Sequence, residues 1–141
     1  MTSVFKKILV IFTACCLCVC SLASCSGGID KDEAKAFVAN FFDAVEAEDY
    51  EKAETFLHPD RPADLEEYFL NIEESTLLDF QAGIEIQKHT GFSSSFYDST
   101  VDGSIYTPIM SVKIGETVVK IAVQIVKNEN GYGIYNLDID T

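Results

Sequence analysis

The apolar residues change period near Phe80, and that change limits the fold more than any other feature of the chain. Before it they recur every three to four residues, the spacing of one face of a helix. After it they alternate with polar residues, the spacing of one face of a strand. Ala34, Phe37, Val38, Phe41, Phe42 and Val45 form the first helical stripe, over about Asp32–Glu48, with Asp30 or Asp32 placed to cap it. Asp49 opens a shorter helix, Tyr50–Leu57, which ends at His58-Pro59 because the residue before a proline disfavours helical backbone. Leu65, Tyr68, Phe69 and Ile72 mark a third helix from Pro62 to about Glu74. Its first turn carries Asp64, Glu66 and Glu67, whose charge suits the positive end of the helix dipole.

Ile84 and Ile86 open a strand that runs to about His89, with Phe92–Tyr97 continuing it or pairing with it. Asp98–Gly103 is turn material. Met110, Val112 and Ile114 line a second strand, from about Ser104 to Ile114, and Gly115-Glu116 is a two-residue hairpin turn. Val119, Ile121, Val123 and Ile125 line the third and strongest strand, Thr117–Lys127. After a turn at Asn128–Gly131 the last strand, Tyr132–Ile139, sets Tyr135, Leu137 and Ile139 against Asn136 and Asp138. Three helices followed by a meander of about four strands predict an α+β domain, its helices covering one face of an antiparallel sheet.

Residues 1–24 have the parts of a secretory signal. Lys6 and Lys7 supply the charge, and Ile8–Cys20 is an apolar run of about thirteen residues, shorter than the ~20 that span a bilayer as a helix. Leu22-Ala23-Ser24-Cys25 then resembles the lipobox of bacterial lipoproteins. The resemblance implies a diacylglycerol thioether on Cys25, cleavage between Ser24 and Cys25, and acylation of the new amino group. It implies a protein held at the cell membrane and facing away from the cytoplasm. Two or more acyl chains make a stable anchor where one would be marginal. Cys15, Cys16, Cys18 and Cys20 would leave with the signal, so no disulfide or thiolate metal site is expected in the folded part. Residues 25–30 form a lipidated tether that reaches ~15–20 Å. Residues 31–141 remain as one domain with a single core.

The chain carries 10 basic and 23 acidic side chains, a net charge of −13, and loss of Lys6 and Lys7 makes it two units more negative. Such a surface repels phosphate backbones, so nucleic acid is excluded as an expected partner. The two histidines, His58 and His89, make no HxH, HExxH or histidine–cysteine cluster, and no metal or cofactor is implied. His58 is expected to bond the last carbonyls of its own helix. Ser93-Ser94-Ser95 is expected as a polar loop, and no phosphate-binding glycine loop or nucleophile elbow is present.

The Phe-rich first helix, the run Ala44–Pro59 (AVEAEDYEKAETFLHP) and the end Asn130–Asp140 (NGYGIYNLDID) together resemble the cystatin-like, nuclear-transport-factor-like superfamily. The resemblance implies a long first helix lying across a curved sheet, with a cone-shaped cavity between them. Phe37, Phe41 and Tyr68 are the candidates to line it. Aromatics at helical spacing are ordinarily core, which is the competing reading. Some enzymes of that superfamily use a buried carboxylate and a tyrosine. Tyr50, Tyr68, Asp79, Tyr106, Tyr135 and Asp138 would supply those types here, but none matches a catalytic motif, so no catalytic residue is assigned. The expected function is therefore binding, of a small apolar ligand in the cone or of a protein partner. A proton-transfer enzyme of isomerase or dehydratase type and a structural assembly lipoprotein are the alternatives.

Overall fold

The computed structural model describes residues 28–97 and 102–141. The signal segment, the cleavage and lipidation positions Ser24 and Cys25, and turn residues 98–101 lie outside the described residues. Helices α1 (Lys31–Glu46), α2 (Tyr50–Glu54) and α3 (Leu65–Ser75) precede a 3₁₀ turn (Phe80–Ala82) and strands β1 (Ile84–Tyr97), β2 (Asp102–Ile114), β3 (Thr117–Asn128) and β4 (Gly131–Asp140). The strands form one antiparallel meander in the order β1-β2-β3-β4, so the class is α+β, as expected.

Each helix starts on an aspartate. Asp30 takes the cap of α1, its Oδ1 accepting from the N–H groups of Asp32 and Glu33, both at 2.9 Å. Asp49 and Asp64 cap α2 and α3, each accepting from one N–H, of Lys52 and of Glu67. The third helix therefore begins at Leu65, not at the Pro62 the sequence suggested, because the Asp64 side chain accepts from the otherwise free Glu67 N–H at 2.9 Å. Helix α1 stops two residues earlier than expected. Asp49 N–H bonds Ala44 C=O at 2.9 Å and Glu48 N–H bonds Val45 C=O at 3.0 Å, with Glu48 at φ 57°. That pair of bonds is the Schellman closure, here made with a glutamate in the left-handed position that glycine normally fills.

Helix α2 also ends early, at Glu54 and not at Leu57. Phe56–His58 leaves the helix to form a parallel bridge along β4: Ile134 N–H donates to Phe56 C=O and His58 N–H to Ile134 C=O, both at 2.8 Å. Gly133 permits this crossing, since a Cβ there would sit 2.5 Å from His58 N.

In the sheet, β1 runs unbroken through Ser93–Ser95, which pair with Thr107, Tyr106 and Ile105. Phe92–Tyr97 therefore continues the first strand, one of the two arrangements expected for it, and the serine run is strand and not a loop; three register shifts interrupt its period. A further bulge sets Gln124 opposite Asn136 but Ile125 opposite Ile134, leaving Tyr135 as the extra residue in β4. The expected alternation of Tyr135 with Leu137 and Ile139 fails there. Leu137 and Ile139 pack against the main core, whereas Tyr135 joins Ile105 and Val126 in a small cluster.

The main core lies between the helices and one face of the sheet. Phe41, Phe69, Phe80, Met110, Ile121 and Ile125 are all fully buried in it. Phe69 meets Phe80 edge-on at 4.8 Å, and Phe41 meets Phe42 at 5.2 Å. Among the described residues, those of this core and of its margin run from Ile29 to Ile139. No helix among the described residues is long and apolar enough to cross a membrane.

Candidate functional site: a groove between α3 and β4

β4 is an edge strand, and only its first residues are covered, by the bridge to Leu57. Beyond the bridge the strand bulges and α3 lies across from it. Between them is a cavity of about 360 Å³, at the smaller end of the size typical of ligand sites. Its apolar wall is Phe41, Leu57, Leu65, Ile134 and Leu137. Tyr68 closes one side, its hydroxyl donating to Leu137 C=O at 3.3 Å. Burial, and then the charge of Asp138, push the Tyr68 phenol up, so it stays protonated and donates. Asp60, Arg61, Pro62, Ala63, Tyr135 and Asn136 form the rest of the wall.

That rim is held by a hydrogen-bond network the sequence did not suggest. His58 is fully buried. Its Nε2 lies 3.0 Å from Asn128 Oδ1 and 3.2 Å from Gly131 C=O, and its Nδ1 accepts from Asp60 N–H at 3.1 Å. Two acceptors at Nε2 and a donor at Nδ1 assign the neutral tautomer with the proton on Nε2. The expected bond from His58 to its own helix is therefore replaced by contacts 70 residues away. Asp60 in turn accepts from Asn130 Nδ2 at 3.1 and 3.0 Å, and Arg61 N–H closes a turn onto His58 C=O at 2.8 Å. Pro59 sits at the second position of that turn, where its fixed φ is favourable.

Arg61 is the only arginine in the chain. Its guanidinium lies over the Tyr135 ring at 5.0 Å, and no carboxylate of the described residues pairs with it. Asp60 is the nearest acid in sequence, but its oxygens are engaged by Asn130 and Asn128.

Of the three expected lining residues, Phe41 and Tyr68 lie on this groove. Phe37 lies elsewhere, edge-on to Phe56 and to Tyr132 at 4.9 Å each. Tyr135 also reaches the rim, and the charge of Asp138 is felt at Tyr68. The other residues of acid–base type go to structural places. Asp79 caps the 3₁₀ turn, Tyr50 stacks on Phe69 at 6.3 Å, and buried Tyr106 leans on Phe92 at 5.9 Å. His89 is exposed on β1, opposite Met110. Among the described residues no group of three His, Cys, Asp or Glu side chains could hold a metal ion.

Sequence reasoning missed Asp60, Arg61, Asn128 and Asn130. The lone arginine between two prolines was the signal that could have found the rim. Compared with protein-family models, with curated proteins and with solved structures, the chain matches none.

Proposed function

We propose that this chain is a lipid-anchored binding module of the extracytoplasmic face, with a cystatin-like domain that takes a small apolar ligand in the groove between α3 and β4. The observation that carries the reading is the groove itself: a cavity of about 360 Å³ walled by five apolar side chains that border the main core. A few polar groups converge on it, which is the usual make-up of a ligand site. The anchor rests on Leu22-Ala23-Ser24-Cys25, and the cystatin-like assignment on three helices preceding a four-stranded meander.

Binding is favoured over proton transfer because no carboxylate is buried among the described residues. The buried polar side chains are those of His58 and Ser104. A carboxylate tuned for acid–base work needs an apolar site. Binding in the groove is also favoured over docking on a broad surface. The exposed large apolar residues, Leu70, Leu77, Phe92 and Val118, are spread over α3, the segment after it, β1 and β3. Scattered exposed residues of this kind are ordinary.

Native mass spectrometry of the processed protein, released from its host's membranes, tests the reading. A small molecule that stays bound to the wild type and is lost from Ala63→Trp, which fills the groove, is the expected result. A bare polypeptide mass in both would overturn it. The anchor is tested apart from the groove: Cys25→Ser should leave the protein soluble or unprocessed, and continued membrane partition of a cleaved Cys25→Ser chain would contradict the lipid on Cys25.

A further inference from the structure

We infer that the ligand of this groove is an amphipathic monocarboxylate, an alkyl chain ending in one carboxylate, with Arg61 as the group that selects the head. This rests on the groove being a binding site and adds the chemical class of its ligand.

The chain is strongly acidic, with 23 acidic residues against 10 basic, and as a whole repels anions. Its only arginine nevertheless stands on the wall of this apolar groove, and no carboxylate of the described residues pairs with it. Asp60 would be the natural internal partner. It is turned instead toward the β3–β4 turn, where Asn130 Nδ2 reaches both oxygens at about 3 Å. A guanidinium offers five donors in a planar fork that matches a carboxylate. The cation–π contact with Tyr135, at 5.0 Å, engages the guanidinium without using the N–H groups of the fork.

The backbone that carries Arg61 is fixed as well. His58 is buried below it, Arg61 N–H is bonded to His58 C=O, and prolines 59 and 62 flank it. A head-group donor on a rigid turn loses little freedom when it binds. The tail then has Leu57, Leu65, Ile134 and Leu137 to lie against, and Tyr68 closes the far side.

The position of the tether fits the same ligand. Lys127 Nζ reaches Gly28 C=O at 3.5 Å, and the next residue, Asn128, bonds both His58 and Asp60. The groove rim therefore lies at the end of the domain where residue 28 leads back to Cys25. An alkyl carboxylate that partitions into a bilayer would be presented to that end. A neutral apolar molecule would make no use of the guanidinium, and an anion without a tail would make no use of the apolar wall.

The test is photo-crosslinking on the full chain in its host membrane. Two probes are compared, a medium-chain aliphatic diazirine carboxylate and the alcohol of the same chain, on the wild type and on Arg61→Gln. Arg61 is exposed, so the substitution leaves the core intact. The expected result is carboxylate adducts on the groove peptides of the wild type, reduced about five- to tenfold in Arg61→Gln, while the weaker alcohol labelling is unchanged. Labelling should rise about three- to fourfold per added methylene until the groove is full. Equal labelling by both probes, indifferent to Arg61→Gln, overturns the carboxylate class and leaves the groove as an apolar site. Failure of both probes to label the groove overturns the binding reading beneath it. A peptide with a free apolar C-terminus that displaces the carboxylate probe at lower concentration than decanoate would assign the groove to peptides and overturn the proposal.

Discussion

His58 is buried with both ring nitrogens engaged, so removing its side chain leaves a cavity and unpaired polar groups together. Gly131 C=O and Asp60 N–H each lose a partner, although Asn128 Oδ1 keeps the N–H groups of Asn130 and Gly131. His58→Ala should cost about 2–4 kcal/mol in urea denaturation, the sum expected from a deleted buried ring and orphaned hydrogen-bond groups. A loss under about 0.5 kcal/mol, the range of ordinary surface substitutions, would contradict the network. The sequence alone could not show this role. The residues that hold His58 lie 70 and 73 positions away, and local spacing carries no trace of such partners. The same limit hid Arg61: its value lies in the apolar wall that β4 and α3 bring beside it, not in its neighbours along the chain.

At the scale of single elements, most of the fold was legible because each helix stripe and strand alternation is a local pattern. Val119, Ile121, Val123 and Ile125 are buried, as their alternation implied. Two of the failures, at the end of α2 and in β4, share a cause. Wherever a tertiary contact outweighed a local preference, the expected boundary moved. Phe56–His58 left α2 for a bridge to β4, and the bulge at Tyr135 turned one residue of β4 out of step. The end of α1 shows a local preference overridden in place. Glu48 takes a left-handed conformation at φ 57° that costs an L residue roughly 1 kcal/mol over glycine. Glu48→Gly should therefore stabilise the domain by about 1 kcal/mol, seen as a higher urea midpoint with an unchanged slope. No change, or a lower midpoint, would mean that the Glu48 side chain contributes more than its backbone costs.

For the molecule as a whole, the charge and the buried tyrosines set the response to pH. Burial, then the charges of Glu33 and Asp30, push the Tyr132 phenol up to about 12 from the usual 10.0. Tyr50, Tyr68 and Tyr106 are raised too, each mainly by burial. Between pH 10 and about 12 the folded chain keeps a proton on Tyr132 that the unfolded chain has released. Stability from this group is therefore fully present below pH 10 and is lost as pH rises through that window. Thermal melts across the window should show Tyr132→Phe losing stability less steeply than the wild type. Parallel slopes would remove Tyr132 as a contributor.

The groove is where residue, element and molecule meet, and methyl NMR of residues 28–141 titrated with decanol, a neutral apolar probe, tests it most directly. That segment contains every core residue among the described residues. Saturable shifts are expected in the methyl signals of Leu57, Leu65, Ile134 and Leu137, with those of Leu77 and Val118 unmoved. Shifts confined to Leu77 and Val118, or no saturable shift at all, would contradict it.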